Sequence, residues 1–238
     1  MDLKEEAILG EDIGSHWYYR AKAAALTRLV KASRFHSILD VGAGSGFFSK
    51  HLLSHSMAGQ AVCVDPFYAE EKEAIVAGKS LMFRRHVQSS DADLVLMMDV
   101  LEHVEDDLAL LTEYVAKVES GSQFLVTVPA FGFLWSGHDV FLGHYRRYQL
   151  HEVVELMRRA GLVVERRCYY FGLVFPIAAI LRLVKRLLGA ADNEPRSDLR
   201  RHSAAVNGLL VLLCKLERPL MTFNRLAGLS VFCLARKP

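Results

Sequence analysis

The sequence lacks an apolar run of the roughly 20 residues that a membrane-spanning helix needs. Its longest apolar segment, residues 171–181, is shorter, contains Pro176 and is followed by Arg182. Residues 1–6 hold three acidic residues and one basic residue, where a secretion signal would carry a positively charged segment. We therefore expect no signal peptide and a cytoplasmic protein.

Cysteine is scarce: the chain has four, and none stands in a Cys-x-x-Cys pair. Scattered single cysteines are typical of reduced thiols in a cytoplasmic protein rather than of a disulfide framework. We expect most of them to be buried. They are Cys63, Cys168, Cys214 and Cys233.

Charge is unevenly distributed along the 238 residues, although the formal net charge is only +2. Residues 1–140 hold 12 basic and 20 acidic side chains, a charge of −8, whereas residues 141–238 hold 17 and 7, a charge of +10. The C-terminal part is thus suited to an anionic partner such as a phosphorylated substrate or a lipid surface. Solvated basic helix faces would give the same balance. The length suits one α/β domain with a sizeable core.

Three glycines at alternate positions follow a short apolar run that begins at Ile38. The run predicts a buried parallel strand, and the apolar spacing from Phe47 onward predicts a helix. Glycine lacks a Cβ atom, so Gly42, Gly44 and Gly46 can turn with positive φ and let a ligand approach the backbone. The helix start presents unpaired N–H groups to such a ligand. A tight turn without a ligand would use the same residues.

Acidic residues end the predicted strands. Asp40 closes the first strand, and its carboxylate suits a cationic ligand better than a pyrophosphate. The dinucleotide fingerprint Gly-x-Gly-x-x-Gly is absent, because Phe47 stands where its third glycine would fall. Asp65 ends a second apolar run about 20 residues beyond the turn, where Rossmann-like folds bind ribose hydroxyls. Asp99 ends another run, residues 93–99.

The segment Leu39-Asp-Val-Gly-Ala-Gly-Ser-Gly46 resembles the first motif of the class I S-adenosylmethionine (SAM)-dependent methyltransferases. Asp99-Val-Leu-Glu-His-Val104 is similar to a motif that follows the fourth strand in many of them. The resemblance covers roughly residues 35–130 by motif. It implies SAM as cofactor and a Rossmann-like α/β fold, with a seven-stranded, mostly parallel sheet and helices on both faces. The implied cofactor-binding residues are Asp40, Gly42, Ala43, Gly44, Gly46, Phe47, Asp65, Pro66, Ser89, Asp99 and Val100, with Tyr18 and Arg20 from the N-terminal region.

We expect a single domain, residues 1–238, in four parts. These are an N-terminal lid helix region (1–34), a SAM-binding core (35–171), a helical insertion (172–228) and a last strand (229–238). The strands after the first are predicted at 61–65, 80–86, 93–99, 123–129, 162–171 and 229–235. Helices are predicted at 21–32, 108–118, 150–160, 175–188 and 206–216, with a polar loop at 192–197.

Three aromatic residues and Arg20 precede the alanine-rich helix at residues 21–32. They have two interpretations. They can pack against the core, or they can form a lid in which aromatic rings shield the sulfonium of SAM and Arg20 pairs with its carboxylate.

The acceptor should bind beyond the fifth strand, because ligands of open α/β sheets lie at the carboxyl ends of strands. Either His138 or His144 is then a candidate general base, oriented by Asp139. A histidine that merely fixes the loop is the alternative for each. His138, Asp139 and His144 have only a weak metal-ligand pattern, and we predict no metal. The candidate substrate-binding residues are His103, Trp135, Arg146, Arg147 and Tyr148.

The resemblance implies methyl transfer to an O or N atom. From Trp135 to Tyr148 and in the insertion, the chain is also similar to bacterial methyltransferases of cell-surface or lipid-linked sugar pathways. Together with the basic C-terminal part, this leads us to expect a small or lipid- or sugar-linked, anionic acceptor. No Asn-Pro-Pro-Tyr or Asp-Pro-Pro-Tyr motif follows the fourth strand, so we expect no nucleic-acid substrate. Peripheral membrane contact through the basic insertion is possible. The oligomeric state, monomer or homodimer, stays open. The alternatives are a catalytically silent SAM-binding regulatory module and, less favoured, a nicotinamide-dependent oxidoreductase.

Overall fold

The computed structural model describes residues 10–31, 35–187, 195, 197 and 203–238. Within these ranges one sheet holds eight strands, in the spatial order third, fourth, second, first, fifth, sixth, eighth, seventh. The strands are β1 (Ser37–Val41), β2 (Gln60–Val64), β3 (Lys72–Val76), β4 (Lys79–Arg84), β5 (Leu94–Met98), β6 (Gln123–Pro129), β7 (Val163–Tyr170) and β8 (Ser230–Arg236).

Helices connect and cover these strands, and short 3-10 turns occur at Gly10–Gly14, Leu101–His103, Gly132–Leu134 and Met221–Phe223. The α-helices are α1 (Trp17–Val30), α2 (Phe47–His55), α3 (Asp107–Ala116), α4 (Gly137–Leu142), α5 (Leu150–Arg159), α6 (Phe175–Leu187) and α7 (Ala204–Glu217).

The sheet is mostly parallel, as predicted. β1 pairs in parallel with β2 and β5, β2 with β4, and β5 with β6. β8 runs antiparallel between β6 and β7. The carboxyl ends of β1, β2, β5, β6 and β7 therefore share one edge of the sheet, and β8 begins there. The motif residues that follow these strands meet at this edge.

The prediction of seven strands is wrong by one. The additional strand, β3, forms a hairpin with β4 through Ala77 and Gly78, which both have positive φ (51° and 77°). Such a two-residue turn matches the twist of antiparallel strands. β3 lies at the sheet edge and begins with the exposed Lys72 and Glu73, while its Ile75 is 74% exposed. It has no buried apolar run, so the pattern that revealed the other strands is missing.

Apolar side chains fill both faces of the sheet, because successive strand residues point to opposite sides. Ile38 belongs to the core that packs under α1, α2 and α7, and Leu39 belongs to the core under α3 and α5. All four cysteines are buried thiols, as predicted.

The insertion between β7 and β8 contains α6 and α7. Asn207 of α7 accepts a hydrogen bond from Trp17 N (2.8 Å) and donates one to Ser15 O (3.1 Å). Arg28 of α1 also donates to Pro219 O (2.7 Å). The insertion therefore holds the N-terminal helix in place. Some predicted segments lie outside the described residues. They are most of residues 1–14, the predicted helix ends Ala32 and Leu188, and most of the predicted loop 192–197. In the described part of the chain, every helix is too short or too polar to cross a membrane.

Gly228 is expected to be essential for the entry into β8. A Cβ atom there would lie 2.2 Å from Tyr170 O and 2.9 Å from Tyr170 N and C, and backbone atoms cannot move aside. We expect Gly228→Ala to destabilise the fold by at least about 2 kcal/mol, a fall in Tm of about 4–8 °C for a chain of this size. Gly208→Ala is the control, because nothing lies within 4 Å of its Cβ position and alanine favours a helix. Equal Tm values for Gly228→Ala and wild type in thermal unfolding would contradict this account.

Candidate active site

The glycine turn after β1 depends on backbone conformations and contacts that a side chain would prevent. Gly42, Gly44 and Gly46 have φ of 62°, 52° and 69°. A Cβ atom on Gly42 would lie 2.8 Å from Val100, and one on Gly46 would lie 3.0 Å from Cys63. The turn therefore packs directly against the residue that follows Asp99. Ala43 beside it is buried, and Phe47 begins α2 half-buried.

Asp65 ties the turn to the end of β2. Its carboxylate accepts hydrogen bonds from Gly44 N (3.2 Å) and Phe67 N (3.0 Å). Tyr68 closes the loop by donating its hydroxyl to Gly44 O (2.6 Å), while Pro66 is exposed. Asp65 thus lies beside the glycine turn, where a ribose-binding carboxylate is expected.

Asp40 lies below the turn. It is 1% exposed and accepts a hydrogen bond from Ser49 Oγ of α2 (2.8 Å). Burial raises the pKa of Asp40 to about 6, although the bond from Ser49 opposes the rise. Its predicted contact with the cofactor stays a prediction, as does that of Ser89, which is exposed in the loop after β4.

Asp99 follows β5 with φ of 56°. Non-glycine residues rarely adopt this conformation, and those that do are often found at functional sites. Thr127 Oγ1 donates a hydrogen bond to one carboxylate oxygen of Asp99 (3.2 Å). Lys22 Nζ and Tyr18 OH, both from α1, donate to the other oxygen. Lys22 has no exposed surface. Burial alone would lower the pKa of Lys22, but the charge of Asp99 and the bonds to Asp99 and Tyr18 raise it. Burial would likewise raise the pKa of Asp99, and Lys22 holds it below its usual range.

The sequence interpretation missed Lys22 and named Arg20 instead. Arg20 is exposed on α1, and its cofactor role stays a prediction. The one available signal was spacing, because Lys22 lies four residues after Tyr18 and therefore on the same face of the helix. Tyr18 also stacks on Phe171, with ring centres 5.2 Å apart.

A cavity of about 210 Å³ opens beside Asp99. Its wall comes from α1, the turn after β5, the segment after β6, helix α6 and the start of β8. The polar side chains that line it include Tyr18, Asp99, Glu102, His103, His138, His144, Arg147 and Arg182.

Asp139 organises the histidine-rich end of this cavity. The segment after β6 was not predicted to be helical, but it contains α4, whose N-terminus is capped by Ser136 and Asp139. The fully buried Asp139 carboxylate also accepts hydrogen bonds from His144 Nδ1 (2.8 Å) and Arg147 Nε (2.7 Å). Burial would raise the pKa of Asp139, but the bonds from His144 and Arg147 outweigh it and hold the pKa well below its usual range. Asp139 is therefore ionised near neutral pH and orients His144.

Arg146 and Tyr148, which sequence analysis grouped with Arg147, contact a different carboxylate. Asp107 accepts hydrogen bonds from Arg146 Nη1 (3.3 Å) and Tyr148 OH (2.8 Å) at the start of α3. Neither residue lines the cavity described above, and nor does the half-buried Trp135. Only Arg147 and His103 of the five predicted substrate-binding residues line it.

Glu102 is the second residue that sequence analysis passed over. It lines the cavity, is 1% exposed, and neither carboxylate oxygen has a hydrogen-bond partner among the described residues. Burial raises the pKa of Glu102 well above its usual range, and the charge of Asp99 raises it further. A buried polar group of this kind normally has a partner.

Comparison with known proteins supports the methyltransferase fold, and the matched region includes the glycine turn. A family model described as a methyltransferase domain matches residues 15–166. Comparison with curated proteins gives no match.

Solved structures of the same fold cover almost the whole chain. The N-methyltransferase NodS from Bradyrhizobium japonicum, in complex with S-adenosylhomocysteine, is 12% identical with a TM-score of 0.54, covering 99% of this chain and 96% of that one. Phosphoethanolamine N-methyltransferase 2 from Haemonchus contortus, in complex with SAM, is 18% identical with a TM-score of 0.55, covering 98% and 56%. The cyclase SpnF is 19% identical with a TM-score of 0.53, covering 91% and 82%. At these identities the likeness shows the fold alone.

Asp40 should make stability depend on pH. Its pKa is raised from 3.8 to about 6 in the folded protein, so the folded state binds this proton more tightly than the unfolded state. Its contribution to stability is therefore lost as the pH rises from about 4 to about 6, by up to about 3 kcal/mol. Urea unfolding of wild type and Asp40→Asn between pH 4.5 and 7.5 measures the difference. We expect Asp40→Asn to gain relative stability as the pH rises, whereas the exposed control Asp91→Asn should not; a constant difference would contradict the assignment.

Proposed function

Because this chain belongs to the methyltransferase-domain family and is a SAM-dependent methyltransferase, we propose that it methylates an anionic, lipid-linked acceptor at an oxygen or nitrogen atom. Nitrogen is kept beside oxygen because two of the similar structures are N-methyltransferases. One observation carries the choice of acceptor: a single helix of the insertion both lines the cavity and exposes apolar side chains to solvent.

That helix is α6. Ala178 and Arg182, four residues apart and thus on one face, line the cavity. The remaining surface of the helix is unusually apolar for a solvent-exposed element. Its exposed apolar side chains are Ile177 (53%), Ile180 (61%), Leu181 (58%), Leu183 (58%), Val184 (45%) and Leu187 (77%). An apolar chain attached to an acceptor in the cavity could therefore continue along this surface.

Helix α7 and the segment after it extend the same property. Val206, Leu209, Leu212 and Leu216 recur at helical spacing and are 45–61% exposed. Exposed apolar groups of this extent mark an interaction surface rather than ordinary solvated structure. Amphipathic helices with basic residues bind the interface of anionic membranes, and the charge of +10 in residues 141–238 suits such a surface. We infer a cytoplasmic protein that contacts the membrane peripherally.

The anionic group of the acceptor is assigned to the arginine side of the cavity. Arg147 and Arg182 both line it. Arg147 is fixed by its bond to Asp139 and by a bond from Nη1 to Ala130 O (3.2 Å). A guanidinium held in one orientation loses little entropy on binding an anion.

The transfer itself needs position more than dedicated catalytic groups. Bound SAM would supply an activated methyl group, which the acceptor atom would take in line as the carbon–sulfur bond breaks, with neutral S-adenosylhomocysteine as the leaving group. A hydroxyl or ammonium acceptor also loses a proton. His138 and His144 lie at the cavity with a ring-centre separation of 6.5 Å, and one of them takes that proton.

The acceptor assignment is tested with vesicles and labelled SAM. Each basic residue near an anionic membrane contributes about 1 kcal/mol, so we expect Arg182→Ala/Lys185→Ala to bind phosphatidylglycerol-containing vesicles at least tenfold more weakly than wild type. Methyl transfer to a lipid extract should fall in parallel, while SAM affinity in calorimetry holds.

The control is Arg158→Ala/Arg159→Ala, which removes two exposed charges from α5. The acceptor assignment fails if wild type does not bind anionic vesicles, or if the control variant loses as much vesicle binding as the test variant. It also fails if wild type methylates only water-soluble acceptors. Methylation of soluble acceptors would still leave a SAM-dependent methyltransferase.

A further inference from the structure

We propose that Glu102, His103 and His144 bind a divalent transition-metal ion at the histidine-rich end of the cavity. Each residue offers one ligand atom, and these atoms lie within 4.8 Å of one another. The sequence pattern suggested a different and weaker set, in which Asp139 was a ligand. In the structure Asp139 lies behind His144 instead, on its Nδ1 side.

The three residues are brought together by a backbone contact. Glu102 and His103 belong to the 3-10 turn after β5, and His144 follows α4. Tyr145 N donates to Glu102 O (2.7 Å), which holds the two segments side by side. As a result the rings of His103 and His144 lie 4.6 Å apart between centres.

Glu102 supplies the observation that points to a cation. Its carboxylate is buried, lines the cavity and has no hydrogen-bond partner among the described residues. Buried carboxylates are normally hydrogen-bonded, paired with a positive charge or coordinated to a metal. A cation between Glu102 and the two histidines would satisfy it.

His144 is prepared as a ligand. Nδ1 of His144 lies 2.8 Å from Asp139 Oδ1, the same oxygen that accepts a hydrogen bond from Arg147 Nε. That contact leaves Nε2 on the opposite edge of the ring for a metal ion, as in the carboxylate–histidine–metal arrangement of many metal sites. Asp139 is in turn fixed by Arg147 Nε and Ser136 N (2.9 Å).

The donor set selects the ion. Two imidazoles and one carboxylate favour Zn²⁺, Mn²⁺, Fe²⁺ or Co²⁺ over Mg²⁺ and Ca²⁺, which prefer oxygen ligands. Metal–ligand bonds of about 2.1 Å place the ligand atoms of a tetrahedral site about 3.4 Å apart. Side-chain rotations that move these atoms by about an ångström would therefore bring them to bonding distance. Three protein ligands leave positions open for an oxygen of the acceptor.

A role in catalysis rests on the proposed function. An ion here lies in the same cavity as Asp99 and can bind the acceptor hydroxyl and lower its pKa. His144 is then a metal ligand, which leaves His138 as the residue that takes the proton.

Metal binding by the full chain is the direct test. EDTA-treated protein is titrated with Zn²⁺ by calorimetry and with Co²⁺ by visible absorption. We expect one equivalent to bind, and binding to weaken at least tenfold in Glu102→Gln and in His144→Ala. Two matched controls, Glu105→Gln and His151→Ala, change exposed residues and should bind as wild type does, as should His138→Ala.

Two results would overturn the proposal: no Zn²⁺ binding by wild type, or a Glu102→Gln variant that binds Zn²⁺ as tightly as wild type, whether or not the substitution stabilises the fold. Glu102 would also lose this role if Glu102→Gln raised KM only for amine acceptors, with no metal bound, because the carboxylate would then pair with the acceptor. Methyl transfer by EDTA-treated wild type separates the claims: full activity without metal removes the catalytic role of the ion and leaves the proposed acceptor intact.

Discussion

The ion pair between Lys22 and Asp99 is the constraint on which the rest of the site depends. A fully buried ammonium is stable only when a carboxylate and further hydrogen bonds compensate for its lost hydration, and Asp99 and Tyr18 provide them. The pair fixes α1 across the carboxyl edge of the sheet and fixes Asp99 in its rare backbone conformation. Asn207 then fastens α7 to the start of α1, so the insertion is coupled to the helix that holds Asp99.

Strained backbone accumulates at this same edge. Asp99, Phe131 and Phe171 have φ of 56°, 57° and 66°, and they follow β5, β6 and β7. Such conformations persist only where neighbouring contacts impose them. Phe131 stacks on Tyr169 at 5.0 Å and Phe171 on Tyr18 at 5.2 Å between ring centres. The packing that shapes the cavity therefore also holds the chain in these turns.

Local sequence patterns were sufficient for the α/β fold and for SAM as cofactor, because the glycine turn and the strand-end acids act through neighbours in sequence. Features that depend on distant partners were not predictable. Lys22 looks like a surface lysine until Asp99, 77 residues later, is known to lie against it. Arg146 and Arg147 are adjacent in sequence, yet one binds Asp107 and the other Asp139. Glu102 stands within the Asp99–Val104 motif, but the motif assigns it no role, since burial without a partner is visible only in three dimensions.

The most direct test of the site is calorimetric titration of Lys22→Met with SAM. If Lys22 aligns Asp99 and α1 for the cofactor, the dissociation constant should rise at least tenfold, about 1.4 kcal/mol of binding energy, in protein that circular dichroism shows to be folded. Lys31→Met, which removes an exposed charge just beyond the same helix, should bind SAM as wild type does. A folded Lys22→Met variant with wild-type affinity for SAM would contradict the account.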